Sequence, residues 1–514
     1  MHTLKQPTPE DRRRSWRCAA LMVMVIACVA AIAYLLPRTR TASDSLLERA
    51  EKALMLSDAA AELDEISASL VFSPESATHL TCVQTLTLRN RTGTAQDAVM
   101  LRSYTGAYLR KETSPAASDE LFSACYPGGF SPGGVVVDSA HVGGVATPVH
   151  CLDDAMTVLS LPLEAPWLPG ETLSVTLRWH ATVPECASRF GVSGGVWALG
   201  NLFPVPALWE SGVWRTDPYV AIGDPFQSEC ARWSLSLTLP RGYHAAATCG
   251  LTKVESGAQL TLSGTAPAVR DFALVIRPGG GSCTLMEGST RITAYATYRA
   301  RAREMAQYAA RAVRCYEARY GPYLYPELTL CEVDFPYGGM EYPGLVMIGA
   351  DAVSAGGQVL ETAVAHETAH QWWGVQVGSD SFNQPWQDES LCEYALMDYI
   401  GVYYGADSRE RSAQALIETA MRAALPGGLT PATPIDRYER LDDYATVAYE
   451  RGAALWMALE ELMGKGALDG ALRDYALTYR FRRASRQELT ALLSQHAGMD
   501  LTALMSSYLD NVPN

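Results

Sequence analysis

The stretch AVAHETAHQWWG, residues 363–374, contains two histidines four positions apart, His366 and His370, with Glu367 directly after the first. On an α-helix, side chains at positions i and i+4 share a face, so both imidazoles can reach one point in space. Neutral imidazole is a common zinc ligand, and a glutamate beside such a pair can act as a hydrolytic base. A chain of this length with nine histidines gives this pattern by chance roughly once in a hundred cases, so a third ligand is needed to support it.

The segment NQPWQDESLCEY, residues 383–394, supplies a candidate third ligand. Eighteen residues separate His370 from Glu389, and the apolar residues at helical spacing that follow predict that Glu389 opens a second helix. A catalytic zinc typically takes three protein ligands and a water, and these three side chains would complete that set. Glu393 lies one turn further on the same face, where it can accept a hydrogen bond from the outer nitrogen of His366. The alternative for Glu393 is a solvated helix charge.

These motifs, HExxH and then a glutamate within WQDES after eighteen residues, resemble those of the M1 family of zinc aminopeptidases. These gluzincins are related to aminopeptidase N and leukotriene A4 hydrolase. YGGMEYPG, residues 337–344, resembles the family's Gly-x-Met-Glu-Asn motif, and AYERGAALWMALEELMG, residues 448–464, resembles its Tyr-Glu-Lys-Gly-Ala segment with Arg451 in place of lysine. The resemblance covers roughly residues 66–510 and is greatest to short, membrane-anchored bacterial members.

The resemblance implies roles for further positions. Glu341 corresponds to the family's anchor for the substrate α-amino group, and Gly338 and Gly339 would let the backbone approach the substrate closely. Tyr449 corresponds to the residue that donates a hydrogen bond to the developing oxyanion. The alternatives are a surface loop glutamate and a core tyrosine on an apolar helix. Tyr342 stands where the family usually has asparagine, which leaves the details of the first-residue pocket open.

The domain organisation follows from changes in residue pattern. Residues 37–65 are rich in Ala, Leu and Glu and predict a helix or stalk, and residues 66–283 alternate as an all-β region with Gly and Pro turns. Residues 284–514 begin with a long amphipathic helix ending at Gly321 and continue through a strand into further helices. The predicted fold class is multidomain β plus α. By resemblance, the β region is a saddle-like domain and the remainder a thermolysin-like α+β catalytic domain.

The amino-terminal residues predict a membrane anchor. Residues 18–36, CAALMVMVIACVAAIAYLL, carry no charge and are long enough to span a bilayer core. Five Lys and Arg residues precede this segment and only two follow it closely, which predicts a cytoplasmic leader, 1–17, and an extracytoplasmic remainder in a single-pass protein of the cell membrane. The alternatives are a cleaved signal peptide, whose apolar core is usually shorter, and lipid attachment at Cys28.

The net charge limits which molecules the chain can bind, and the cysteine content limits which disulfide bonds it can form. A net charge of −15 argues against nucleic acid as a partner. Ten of the twelve cysteines follow the predicted anchor, where disulfides can persist. Cys230 with Cys249 and Cys125 with Cys151 are candidate pairs, although connectivity cannot be deduced from sequence.

The predicted function is that of a zinc-dependent aminopeptidase that takes peptide substrates and binds one Zn²⁺ per chain. In this interpretation Glu367 is the general base, and Trp372 and Trp373 pack in the core. One alternative is an endopeptidase, or a hydrolase of a non-peptide such as an epoxide or ester, on the same scaffold. The other is an inactive surface binding protein.

Overall fold

The computed structural model of the protein describes these stretches of chain: residues 42–116, 118–423, 425 and 427–511. The chain divides into two compact units, residues 1–50 and 51–514. The predicted leader and the predicted anchor at 18–36 lie outside the described residues. Among the described helices, each is too short or too polar to cross a membrane.

The α-helices of the described residues, numbered in chain order, are α1 (Ala42–Ala60), α2 (Asp119–Cys125), α3 (Arg299–Tyr320), α4 (Ala350–Ala355), α5 (Gly357–Ala369), α6 (Trp386–Tyr404), α7 (Ala406–Arg422), α8 (Leu441–Tyr444), α9 (Gly452–Met463), α10 (Lys465–Thr478), α11 (Arg486–Ala497) and α12 (Thr502–Leu509). Short 3-10 helices occupy Tyr104–Leu109, Lys111–Thr113 and Ile435–Arg437, and a π-helical turn occupies Ala445–Arg451. Helix α3 ends where the sequence predicted, because Gly321 adopts φ 97°, a conformation that glycine accepts without strain.

The strands up to residue 277 are β1 (Asp64–Phe72), β2 (Leu80–Arg89), β3 (Gln96–Arg102), β4 (Gly134–Val142), β5 (Val145–Thr147), β6 (His150–Cys151), β7 (Val158–Trp167), β8 (Thr172–Thr182), β9 (Phe190–Ser193), β10 (Val196–Leu199), β11 (Val205–Pro206), β12 (Trp209–Glu210), β13 (Val213–Trp214), β14 (Ala231–Pro240), β15 (His244–Ala247), β16 (Thr252–Ser256), β17 (Gln259–Val269) and β18 (Leu274–Arg277). The later strands are β19 (Gly281–Glu287), β20 (Thr290–Ala296), β21 (Glu327–Val333), β22 (Gly339–Met340), β23 (Leu345–Gly349), β24 (Val377–Gly378) and β25 (Arg482–Arg483).

Alternating apolar residues build the large sheet of the β-rich region. In β1, Ile66, Ala68, Leu70 and Phe72 are buried and alternate with residues that face solvent, as the two-residue period of a strand requires. The sheet has the order β16–β17–β14–β1–β2–β8–β4–β5, and β1 runs parallel to β14 while the other neighbours are antiparallel. Two four-stranded sheets, β15–β18–β10–β9 and β11–β3–β7–β6, and a two-stranded sheet, β12–β13, complete the region.

Of the predicted helix or stalk at 37–65, α1 covers Ala42–Ala60, residues 61–63 form a turn, and residues 64 and 65 begin β1, while residues 37–41 lie outside the described residues. From Glu51 onward the helix belongs to the second unit. Leu56 and Ala60 are buried, and Lys52 Nζ lies 2.7 Å from Glu317 Oε1. This part of α1 is therefore packed against the rest of the second unit.

A five-stranded sheet, β19–β20–β21–β23–β22, lies at the start of the helical region. Its first strand begins at Gly281, close to the predicted domain boundary between 283 and 284, which stays a prediction. Helix α3 packs on β19 and β20, and β22 forms the antiparallel edge of the sheet. This edge strand carries Gly339 and Met340, which lie beside the site described below.

Helix α5 is held between α3 and α6. The hydroxyl of Tyr316 in α3 donates to the carbonyl of Ala365 at 3.0 Å, and the indole of Trp372 donates to the Gly321 carbonyl at 3.0 Å. Trp372 and Trp373 are almost fully buried, so their predicted role in core packing is confirmed. This packing fixes the carboxyl end of α5, where the two motif histidines lie.

Candidate metal centre and substrate cleft

The carboxyl end of α5 and the first turn of α6 bring the three predicted ligands together. His366 Nε2 lies 3.2 Å from His370 Nε2. Glu389 Oε2 lies 3.1 Å from His370 Nε2 and 3.5 Å from His366 Nε2. Helix α6 begins at Trp386, three residues earlier than predicted, because the preceding proline residue already has helical dihedral angles. Glu389 therefore lies in the first turn and not at the helix start.

These separations fit one zinc ion. In a tetrahedral site with bonds of about 2.0–2.1 Å, neighbouring ligand atoms lie about 3.3 Å apart. The outer nitrogen of each imidazole has an acceptor: His366 Nδ1 is 3.0 Å from Glu393 Oε1, and His370 Nδ1 donates to the Trp373 carbonyl at 3.0 Å. With both protons on Nδ1, both Nε2 lone pairs point to the same place, and two lone pairs this close repel unless a cation lies between them.

The charges around the three ligand atoms also favour a cation. Burial lowers the pKa of His366, but hydrogen bonds to Glu389 and Glu393 outweigh burial and raise it to about 10. Burial would raise the pKa of Glu389, but the two imidazoles outweigh it and hold the pKa well below its usual value. Positive charge is thus stabilised where the three atoms meet.

Glu367 lies beside this point without taking part in the ligand set. The side chain is buried, and its Oε2 atom has no hydrogen-bond partner among the described residues. Burial raises the pKa of Glu367 to about 7, against the opposing charges of His366 and His370. A buried acceptor without a partner, whose pKa lies near neutral, is suited to exchange a proton with a water molecule.

Gly338 and Gly339 line the cleft in front of Glu367. A Cβ on Gly339 would lie 2.3 Å from the Glu367 carboxyl carbon, whereas a Cβ on Gly338 would meet no atom within 4 Å. The second glycine is therefore required for the close approach of β22 to Glu367. Gly338 has open space beside it among the described residues, and the predicted close approach of backbone to substrate at Gly338 and Gly339 stays a prediction.

Glu341 follows β22 and faces the same place as the motif residues. Carboxylate and imidazole atoms of Glu341, Glu367 and His370 all lie within 4.8 Å of one another. Burial raises the pKa of Glu341 well above its usual value, and the carboxylates of Glu367 and Glu389 add to the shift. A carboxyl group in this position is best satisfied by a cationic group of a ligand.

Tyr449 lies in the π-helical turn that follows α8 and stacks on His366, with ring centroids 5.7 Å apart and planes inclined by 10°. Burial raises the pKa of Tyr449 well above its usual value, and the nearby Glu389 carboxylate adds to the shift. The hydroxyl therefore keeps its proton and can donate a hydrogen bond. Single π-helical turns are rare and often occur at functional sites.

The site residues line one wall of an open cleft that contains about 1670 Å³ of empty space, part of it open to solvent. Two further cleft residues, Arg189 and Asp224, come from the β-rich region and were not predicted. Arg189 Nη1 donates to Asp224 Oδ1 at 2.5 Å, and the guanidinium lies 5.0 Å from the centroid of the Phe226 ring. No local motif marks these residues, since they reach the cleft only through the tertiary fold.

Tyr342, the departure from the family motif, points away from the cleft. Its hydroxyl donates to Asn201 Oδ1 at 2.7 Å, and Asn201 Nδ2 donates to Asp271 Oδ2 at 2.5 Å. A Cβ on Gly200 would overlap the Tyr342 hydroxyl, so the absence of a side chain at Gly200 makes room for it. The tyrosine thus ties the loop after Glu341 to the β-rich region.

Comparison with known proteins agrees with the geometry. The family model described as "Peptidase family M1 domain" matches residues 305–508, which include every predicted metal ligand. Residues 305–508 are called the M1 domain below, after the family model that matches them. Glu341, Glu367, Glu393 and Tyr449 also lie within this M1 domain, whereas Arg189 and Asp224 do not.

Two curated relatives match the M1 domain region. Leukotriene A-4 hydrolase of Xenopus laevis is 30% identical over 176 residues, which are 33% of this chain and 29% of that protein. Leucine aminopeptidase 2 of Eremothecium gossypii is 30% identical over 153 residues, which are 29% of this chain and 24% of that protein. The matched part of the chain thus spans less than a third of the length of either relative.

The likeness to solved structures extends beyond the M1 domain. The crystal structure of the M1 zinc metallopeptidase from Deinococcus radiodurans has a TM-score of 0.64 with this chain at 19% identity. The match covers 88% of this chain and 94% of that chain. This likeness shows that the β-rich and helical regions together adopt the fold of that protein.

Proposed function

We propose that this chain is a zinc-dependent aminopeptidase that removes the first residue of peptides. The observation that carries the proposal is the meeting of His366 Nε2, His370 Nε2 and Glu389 Oε2 in the wall of a cleft, beside the unpartnered carboxylate of Glu367. The names of relatives support it, since leucine aminopeptidase 2 is among them. A mutant of the M1 zinc metallopeptidase from D. radiodurans has also been crystallised with a Tyr-Ser-Ala substrate.

The chemistry follows from the positions of the side chains. Zinc, when bound by His366, His370 and Glu389, acts as a Lewis acid that favours deprotonation of water and polarises a carbonyl group. Glu367 accepts a proton from the attacking water through its free oxygen and later delivers that proton to the leaving amine. Tyr449 donates its hydroxyl hydrogen to the carbonyl oxygen, on which negative charge develops.

Hydrogen-bond acceptors hold the two ligand imidazoles in their orientation. Glu393 accepts a hydrogen bond from His366 Nδ1, and the Trp373 carbonyl accepts one from His370 Nδ1. Such outer partners fix the tautomer and orientation of each ring and raise its basicity. Glu389, a metal ligand, and Glu393, the hydrogen-bond partner of His366, lie one turn apart on α6. One helix therefore orients both carboxylates.

Glu341 gives the site its preference for a free amino terminus. The substrate α-amino group has a reference pKa of about 7.7–8.0 and is largely protonated at neutral pH. A Glu341 carboxylate oxygen lies within 4.8 Å of ligand atoms of Glu367 and His370, so it can bind that ammonium group and fix the register of the chain. A peptide bound in this way presents its first carbonyl group to the water from which Glu367 takes a proton.

Replacing Glu341 with glutamine removes the anion and keeps the shape of the side chain. A charge-assisted hydrogen bond is worth about 1.5–3 kcal/mol, so kcat/KM for free-amino peptides is expected to fall by about one to two decades. Steady-state kinetics on aminoacyl fluorogenic substrates measure the loss, and zinc content measured on the same sample serves as the control. If this variant keeps full kcat/KM, Glu341 does not bind the substrate amino group.

The proposed activity is tested by comparing a panel of aminoacyl fluorogenic substrates with the same peptides acetylated at the amino terminus. We expect the wild-type protein to cleave only the free-amino set. Equal cleavage of the acetylated set would establish the endopeptidase alternative. A protein that contains zinc but turns over neither set would be the inactive binding protein.

We also propose that residues 18–36 anchor the protein in the cell membrane, with the amino terminus in the cytoplasm and the M1 domain outside. Support comes from the length of the uncharged segment and the excess of Lys and Arg before it.

With this topology, protease added to intact cells is expected to degrade residues 37–514 and to spare an amino-terminal tag, because only the tag and leader are shielded. Immunoblotting for tags at both ends provides the measurement. Permeabilised cells, in which both tags are lost, are the control. Recovery of a soluble, cleaved form as the sole product would exclude the anchor.

A further inference from the structure

Cys125 and Cys186 meet in the core of the β-rich region although they are sixty-one positions apart in the chain. Cys125 ends α2, and Cys186 lies in the segment between β8 and β9. The Ala187 amide donates to the Cys125 carbonyl at 2.8 Å, which holds the two backbones side by side. The two thiols interact, which lowers the pKa of Cys125 and raises that of Cys186, and both residues are at most 2% exposed.

The two pairings suggested by the sequence are not supported. Cys151 is exposed, and its thiol lies 3.5 Å from the Asp153 carbonyl, whereas Cys125 is buried against Cys186. The Cys249 sulfur lies against Gly264, which pairs with Leu235. Leu235 is five residues beyond Cys230, or about 16 Å along the strand, so that pair is also apart. Sequence proximity misled both predictions, because a turn between two cysteines does not fix which faces of the strands meet.

We propose that Cys125 and Cys186 form a disulfide bond in the mature protein. The backbone hydrogen bond at Ala187 holds the two chain segments side by side, within the range that a disulfide spans, and both cysteines are buried in the same apolar cluster. Occurrence of the bond in the cell rests on the proposed extracytoplasmic location, where disulfides persist. The proximity of Cys125 and Cys186 in the fold does not depend on that location.

The oxidation proceeds by thiol–disulfide exchange with an oxidant such as oxidised glutathione while the chain folds, before the two cysteines are buried. Cys125, as its thiolate, attacks the disulfide of the oxidant. One glutathione thiolate leaves and a mixed disulfide forms at Cys125. The Cys186 thiol then loses its proton, attacks the Cys125 sulfur and releases the second glutathione. Two thiols are oxidised to one disulfide, and the oxidant is reduced to two thiols.

The bond supports one side of the substrate cleft. Cys186 lies three residues before Arg189, which pairs with Asp224 in the cleft wall. Between them, Ser188 Oγ lies 2.9 Å from the Tyr108 hydroxyl. A disulfide at Cys186 therefore fixes to α2 the short segment that carries Arg189.

Peptide mapping tests the connectivity directly. The full chain is refolded in a glutathione redox buffer, denatured with N-ethylmaleimide present to block free thiols, and digested without reduction. We expect a linked pair of peptides containing Cys125 and Cys186, two hydrogens lighter than their sum, and alkylated Cys230, Cys249 and Cys151. Alkylation of both Cys125 and Cys186, or a link from either to another cysteine, would overturn the proposal. Because mapping does not depend on turnover, failure of the proposed aminopeptidase activity would leave this result unaffected.

Thermal unfolding provides a second test. Removing a disulfide of this loop length is expected to lower Tm of a chain of this size by about 2–4 °C. Dithiothreitol added during unfolding should lower Tm of the wild type, while Cys125→Ala, Cys186→Ala and the double variant should be insensitive to it. The double variant should unfold close to the single variants, because either substitution already removes the whole bond.

Cys82→Ala is the matched control, since Cys82 is also buried in a strand of the β-rich region. This variant should keep the full response to dithiothreitol. A wild-type Tm that does not change with dithiothreitol would contradict the proposal, as would additive effects of the two substitutions.

Discussion

Glu367→Gln is expected to retain zinc and to lose turnover, with kcat reduced by about 10²–10⁴. Glutamine has nearly the same shape as glutamate but cannot accept the proton of the attacking water. The ligand atoms belong to other side chains, so metal binding is expected to persist. Measurement of kcat with an aminoacyl fluorogenic substrate, together with elemental analysis of zinc in the same preparation, separates the two effects.

The ligand variants provide the control for this experiment. His366→Ala and Glu389→Ala each remove one of the three ligand atoms, so both variants should lose activity together with zinc. Near-full activity in Glu367→Gln would show that another group is the base. Loss of zinc in that variant would show that Glu367 belongs to the ligand set.

Tyr449→Phe is expected to lower kcat by about 10²–10³, the usual cost of losing one hydrogen-bond donor to an oxyanion. Phenylalanine keeps the ring that stacks on His366 at 5.7 Å, so the metal site should remain intact. Because the hydrogen bond strengthens as charge develops, the loss should appear in kcat with little change in KM. Steady-state kinetics and zinc content are the measurements.

Tyr438→Phe is the matched control for the tyrosine variant. Tyr438 is buried in the same apolar cluster and contacts Tyr444, but it does not line the cleft. This control should keep normal kinetics. If Tyr449→Phe behaves like Tyr438→Phe, Tyr449 is a core tyrosine and the oxyanion receives its second donor from elsewhere.

The metal ligands could be predicted from sequence because their geometry is local. Four positions on one helix place His366 and His370 together whatever surrounds them, and the resemblance to known motifs supplied Glu389. The expected hydrogen bond between His366 and Glu393 is present in the structure at 3.0 Å, since one helical turn separates Glu393 from Glu389. The strand alternation of the β-rich region is equally local, and it was predicted in the same way.

Features that depend on long-range contacts could not be predicted. Arg189 and Asp224 carry no motif and enter the cleft only because the β-rich region packs against the M1 domain. The same holds for Cys125, which lies beside Cys186 in the fold and not beside Cys151, the partner suggested by the sequence. The start of α6 was placed three residues late because the pattern of apolar residues begins after the first helical turn.

The central claim is that one zinc ion, held by His366, His370 and Glu389, is required for aminopeptidase turnover. The most direct test removes metal with a chelator, exchanges the chelator away, and titrates zinc back while cleavage of a free-amino fluorogenic substrate is followed. We expect activity to disappear on chelation and to return linearly until one zinc per chain has been added. Full turnover by protein that elemental analysis shows to lack metal would contradict the account, and so would a return of activity that requires two zinc ions per chain.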